Sequence, residues 1–191
     1  PVEITTRKGT VHFAVDEHPK ATTPAALAAL RPAFQKDGTV TAGNASGIND
    51  GAAALILARA DAATRAGLNP IARILGYAHA GVAPDVMGLG PIPAVQALLR
   101  RTGLTAADFD LVESNEAFAA QALAVTAALG LDPARVNPSG GAIALGHPVG
   151  ATGALITVKA LYALARTGGK RALITMCIGG GQGIALAIER M

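Results

Sequence analysis

Apolar and polar residues alternate in part over Val2–Thr6 and again over Thr10–Val15, around Arg7-Lys8-Gly9. A period of two on both sides of a glycine-containing turn predicts a β-hairpin. Thr23-Pro24 then reads as an N-cap followed by proline at the first helical position, which opens a helix through about Leu30. Phe34 and Gly38 fall in the connection after it. Residues 1–48 are therefore read as a small extension, distinct from the core that follows.

From Asn49 the pattern changes to apolar runs alternating with amphipathic stretches. Ala53–Leu57, Ile71–Tyr77 and Phe109–Ser114 predict strands. Asp61–Gly67, Pro93–Thr102 and Glu116–Leu129 predict helices, the last stopped by Gly130. Gly150–Arg166 predicts a long helix with Leu155, Val158, Leu161 and Leu164 near helical spacing. Ala172–Met176 and Ile184–Ile188 are β-rich runs around a glycine turn and predict an antiparallel hairpin. Strands alternating with helices give an α/β layered domain. The expected fold is a mixed five-stranded sheet flanked by helices, formed by residues 49–191, with residues 1–48 as an appendage.

Composition fits that picture. The chain has 191 residues, 51% hydrophobic and only 15% charged, which excludes a disordered tail. Alanine and glycine abound while aromatics make up 3%, so elements can approach closely. No apolar run approaches the length of a membrane span, and no secretory signal opens the chain; a cytoplasmic protein is the expectation. The chain opens at Pro1 rather than Met, as a processed product or a fragment does. The formal charge of +3 comes from scattered Lys and Arg, with no basic stripe interleaved with aromatics. Nucleic-acid binding is not expected. One cysteine excludes an internal disulfide and CxxC metal sites. No metal and no cofactor is expected.

The chemistry concentrates on glycine-dense backbone. His147 precedes Pro148, which pushes its backbone toward the extended region, and lies between Gly146 and Gly150 ahead of the long helix. It is either a histidine satisfied by local backbone or one that projects into a pocket to move protons. Cys177 ends a predicted strand and enters Gly179-Gly180-Gly181. It is either a small buried hydrophobe or an acid/base or nucleophile at a strand end. Asn115, where a strand hands over to a helix, caps that helix or holds a water or substrate oxygen, and Glu116 suits the helix N-terminus. The polar loop Thr41–Gly51 is either a plain loop or a set of backbone donors for phosphates or amides. Neither a dinucleotide fingerprint nor a phosphate-loop GK[ST] is present.

Taken in order, Asn44-Ala45-Ser46-Gly47, Asn115-Glu116-Ala117-Phe118-Ala119, Gly146-His147-Pro148 through Gly153, and Cys177-Ile178-Gly179-Gly180-Gly181-Gln182-Gly183 resemble the thiolases, the acyl-CoA:acetyl-CoA C-acyltransferases. The likeness covers essentially the whole chain and falls on the second half of a thiolase. It comprises the tail of the substrate-covering loop domain (1–48) and the C-terminal core domain (49–191). The resemblance implies that His147 helps activate a nucleophilic cysteine and donates to the thioester oxygen. Cys177 becomes the acid/base that exchanges a proton with the substrate α-carbon or the CoA sulfur. Asn115 positions a water in the same oxyanion hole, and the N–H of Gly179 serves a second one. Ser46 contacts the pantetheine arm, Phe34, Ala117 and Phe118 line its tunnel, and Lys20 is offered to the nucleotide phosphates.

The nucleophilic cysteine of a thiolase lies in the N-terminal half, so the resemblance implies that this chain alone is inactive. It needs that half as a partner, besides coenzyme A and acyl-CoA, in a homodimer or tetramer. Two other readings stay open: a Cys–His thioesterase or acyltransferase in which Cys177 attacks, and a non-catalytic CoA-binding domain.

Overall fold

A computed structural model describes residues 1–191. The N-terminal hairpin forms as the alternation predicts, with β1 (Val2–Thr6) antiparallel to β2 (Gly9–Phe13). Both of its faces are exposed, so it contributes nothing to the core. Thr23 caps α1 (Pro24–Ala28) by accepting from the Ala26 N–H at 3.1 Å, and the helix ends two residues earlier than its apolar pattern suggests. After α2 (Ala60–Arg65) the chain builds one mixed sheet.

That sheet has the order β3 (Ala72–Gly81), β6 (Gln182–Arg190), β5 (Arg171–Ile178), β4 (Leu111–Ser114). β5 and β6 form the predicted antiparallel hairpin, β3 adds antiparallel to β6, and β4 runs parallel to β5. Four strands pair, not five. Ala53–Leu57 adopts no strand, and Ile56 is 94% exposed. Its apolar run is sound β material, but no neighbouring strand in the chain offers its backbone a partner, and unpaired N–H and C=O groups do not make a strand.

The two faces of the sheet are covered by different helices. α3 (Pro91–Thr102) buries Ala94, Val95 and Leu98 against Ala78, Leu173, Ala185 and Ala187. α6 (Thr152–Thr167) buries Ile156, Ala160, Ala163 and Leu164 against Leu111, Ala172, Ile174 and Ile188. The buried stripe of α6 is thus turned from the predicted leucine row, of which only Leu164 is fully buried. Alanines at the contact let the helix sit close to the strands, which a row of leucines would prevent. The same logic holds at the start of α3. A Cβ on Gly183 would overlap the Gly90 backbone, and one on Gly90 would overlap the backbone of Gln182 and Gly183, so this helix end rests on β6 only because both are glycine.

At the far sheet end, buried Glu189 accepts from Arg171 Nε at 2.8 Å and from Arg73. These ion pairs, Arg171 first, hold its carboxyl below the usual range.

Candidate active site

The site assembles where β4 ends. Leu111–Ser114 is fully buried and pairs with β5, and Asn115 extends the pairing by donating its N–H to Thr175 O at 3.0 Å. The helix expected from Glu116 begins only at Ala119 (α4, Ala119–Ala128), with Phe118 at its cap position. Asn115 therefore caps nothing. Its backbone stays extended because the sheet and the segment Asn44–Ser46 hold the chain there. Ser46 donates its N–H and its hydroxyl to Ala117 O, at 3.0 and 3.1 Å, and Ala119 N donates to Asn44 O. Glu116 does not serve the helix end either. Its carboxylate accepts from Asn137 Nδ2 at 3.1 Å and from Ile143 N at 3.2 Å, which ties the strand end to α5 (Ala142–Leu145).

The loop that holds Ala117 also holds His147. Gly47 O accepts the His147 N–H at 3.0 Å, and Ile48 pairs with His147 as in a parallel ladder. Asn49 Oδ1 lies 3.3 Å from the same N–H, close against Gly146, whose φ of +98° favours glycine. Pro148 lies in a turn ahead of α6 rather than in its first turn, since the helix starts at Thr152.

The ring of His147 is fixed from both sides. Its Nδ1 lies 2.7 Å from Thr152 Oγ1, and the Thr152 hydroxyl donates its one proton to Pro148 O at 2.9 Å. In this arrangement Thr152 accepts from His147 and the ring proton sits on Nδ1. That leaves Nε2 with a free lone pair, toward which Asn115 Nδ2 donates over a long 3.4 Å. Burial pushes the His147 pKa below its usual 6.5, so the ring is neutral at neutral pH with Nε2 as a base.

Cys177 is buried near the end of β5, opposite Gly183. Burial raises its thiol pKa, so it rests protonated. Gly179 follows in the exposed β5–β6 turn. Phe34 and Phe118 meet edge to face, ring centres 6.1 Å apart. Ser46, Ala117, Phe118, Phe34, Asn115 and His147 are thus joined by direct contacts. Lys20 is exposed and enters no ion pair. No group of three His, Cys, Asp or Glu side chains converges as metal ligands would, and no helix is long and apolar enough to cross a membrane.

Sequence reasoning missed Thr152, Asn49 and the buried pair Glu113–Lys159. Thr152 follows His147 by five residues, a spacing that signals nothing until the turn at Pro148 is known. Glu113 was legible only as one polar residue in an apolar strand.

A mixed sheet between two helical layers, with a neutral histidine and an asparagine converging at one strand end, defines an α/β protein with a candidate acid/base site. Comparison with known sequences makes this specific. The family models described as "Thiolase, C-terminal domain" and "Thiolase, N-terminal domain" match residues 68–190 and 1–61. This chain belongs to the thiolase family. The acetyl-CoA acetyltransferase of Escherichia coli is 60% identical over 192 residues, covering all of this chain and 49% of the relative. The acetyl-CoA acetyltransferase of Bacillus anthracis superposes with a TM-score of 0.93 at 50% identity, over 100% of this chain and 49% of its own. Human mitochondrial 3-ketoacyl-CoA thiolase, solved in complex with CoA, superposes with a TM-score of 0.85 at 46% identity, over 99% and 48%. The chain spans about half the length of the relatives it matches.

Proposed function

We propose that this chain carries the proton-transfer half of a thiolase site. Its reaction is the reversible Claisen condensation of two acetyl-CoA to acetoacetyl-CoA and CoA, with thiolysis of 3-ketoacyl-CoA as the reverse. The observation that carries the reading is the Asn115–His147–Thr152 array, which leaves Nε2 of a neutral histidine free beside an amide donor. In this reading the nucleophilic cysteine lies on an N-terminal segment outside these residues. Nε2 takes the thiol proton as the cysteine attacks the thioester. The resulting Nε2–H, with Nδ1–H still held by Thr152, then donates to the thioester oxygen as negative charge develops there.

Condensation next needs a proton removed from the α-carbon of the second acetyl-CoA and a home for the enolate charge. Preorganised donors at that oxygen supply the largest stabilisation, and His147 with a water on Asn115 provides them. When the acyl group passes to the nucleophilic cysteine, Cys177 gives its thiol proton to the departing CoA sulfur, and the thiolate so formed takes the α-carbon proton. The α-carbon then bonds to the acyl carbon, and the C–S bond to the nucleophilic cysteine breaks. A protonated resting thiol suits Cys177 to proton exchange and poorly to being the resting nucleophile, which disfavours a self-contained Cys–His thioesterase. A depressed His147 pKa has a parallel benefit, since the ring gives its proton back readily.

The human relative, solved with CoA, supports a CoA thioester as the substrate class. Ser46 and the Phe34–Phe118 pair are assigned to the pantetheine arm, and Lys20 to the phosphates. The Gly179 N–H serves the acylated cysteine. The protein is assigned to the cytoplasm as a homodimer or tetramer.

The test is turnover of acetoacetyl-CoA plus CoA by the full-length protein. His147→Ala is expected to lower kcat by about 10²–10⁴-fold, the range of a positioned acid/base. Wild-type turnover retained in that variant would refute the assignment.

A further inference from the structure

A cavity of about 20 Å³ lies between the end of β4, α5 and α6, behind Asn115 and away from the acyl-CoA residues named above. Glu113, Asn115, Thr152 and Lys159 line it. Glu113 and Asn115 are almost wholly buried, at 1% and 2% exposure. Oε2 of Glu113 accepts from Lys159 Nζ at 2.9 Å, and Lys159 also donates to Gly140 O at 2.6 Å. Oε1 of Glu113 and Oδ1 of Asn115 accept no hydrogen bond. Ser114 Oγ, which also lines the cavity, is buried without a partner as well. Two buried acceptors cannot satisfy one another, and no hydrogen bond in the structure reaches either of them from Ser114. A cavity of this size has room for about one water molecule, which can donate to both.

We infer that one internal water occupies this cavity, donating to Glu113 Oε1 and Asn115 Oδ1, and that Glu113 with Lys159 is a positioning pair for the site. The inference rests on the role given to Asn115 above. The carboxylate, kept in place by Lys159, orients the water. The water gives Asn115 Oδ1 a fixed partner on the interior side, and the amide then keeps Nδ2 on the His147 side. Free to turn, the amide would lose that register whenever Nε2 becomes protonated and repels a donor. The ion pair thus acts on the reaction through Asn115 and touches no substrate.

Two measurements on the full-length protein test this. A crystal structure at a resolution that places ordered water is expected to show one peak within hydrogen-bond distance of both oxygens. A dry cavity, or a water bonded to neither oxygen, would overturn the inference, and this arm does not depend on any variant folding. Kinetics form the second arm. Glu113→Gln is expected to lower kcat roughly tenfold with KM for the CoA thioester unchanged, and to cost nothing further in an Asn115→Ala background, the signature of a shared pathway. Losses that multiply, or a change in KM alone, would show a merely structural role. Should Asn115→Ala leave turnover intact, the role of Asn115 and the positioning claim both fail, while the density still decides the water.

Discussion

A single hydroxyl decides the chemistry of His147. With its proton on Pro148 O, Thr152 accepts from Nδ1, and the neutral ring takes the tautomer with a basic Nε2. Replacing Thr152 by valine keeps the volume and removes that acceptor. Nδ1–H is then left buried without a partner, or the proton moves to Nε2, the wrong nitrogen for a base. We expect Thr152→Val in the full-length protein to lower kcat by roughly one to two orders of magnitude, and Thr152→Ser to restore most of it. The pH profile should follow burial. His147 titrates below 6.5, so the base form persists as pH falls past the ordinary histidine range. The acid limb of kcat/KM is expected below pH 6.5 in the wild type. Equal activity in Thr152→Val, or an acid limb at or above the ordinary histidine value, would contradict this assignment.

At the scale of elements, the sequence predicted most of what it could predict locally. The β1–β2 and β5–β6 hairpins, the Thr23 cap and the helix stop at Gly130 rest on turn chemistry and short-range periodicity, and all of them form. Misreadings occur where distant contacts decide. Ala53–Leu57 has strand composition but no partner strand. Residues 116–118 have helix composition but are kept out of the helix by their hydrogen bonds to Asn44–Ser46. In α6, Ile156, Ala160, Ala163 and Leu164 form the buried stripe, while Leu155 and Leu161 of the predicted row pack against it only partly buried. Close approach gives a stability prediction at Gly183, where a Cβ would overlap the Gly90 backbone. Backbone cannot step aside as a side-chain end can, so Gly183→Ala should cost about 1–3 kcal/mol or more in urea unfolding. An unchanged unfolding midpoint would mean that β6 and the start of α3 are not in contact.

For the whole molecule, the site was legible as four separate motifs, and folding brings three of them into direct contact through Asn44–Asn49. The remaining legibility came from the resemblance, since nothing in the spacing of Asn115 and His147 predicts that their side chains meet. The apolar segment Ala52–Leu57 carries Ile56 at 94% exposure, and Ile48 just before it is 93% exposed. Contiguous exposed apolar surface marks an interface or an aggregation liability. The 191 residues expressed by themselves are expected to self-associate, read by light scattering; a monodisperse monomer would argue that this surface needs no cover. If that cover is the segment bearing the nucleophile, the division of labour can be read directly. The full-length protein is incubated with acetyl-CoA, quenched, digested, and its acetylated peptide located by mass spectrometry. The acetyl group is predicted on a cysteine outside these 191 residues, with labelling retained in Cys177→Ser. Acetyl carried by Cys177 itself would contradict the acid/base role assigned to it.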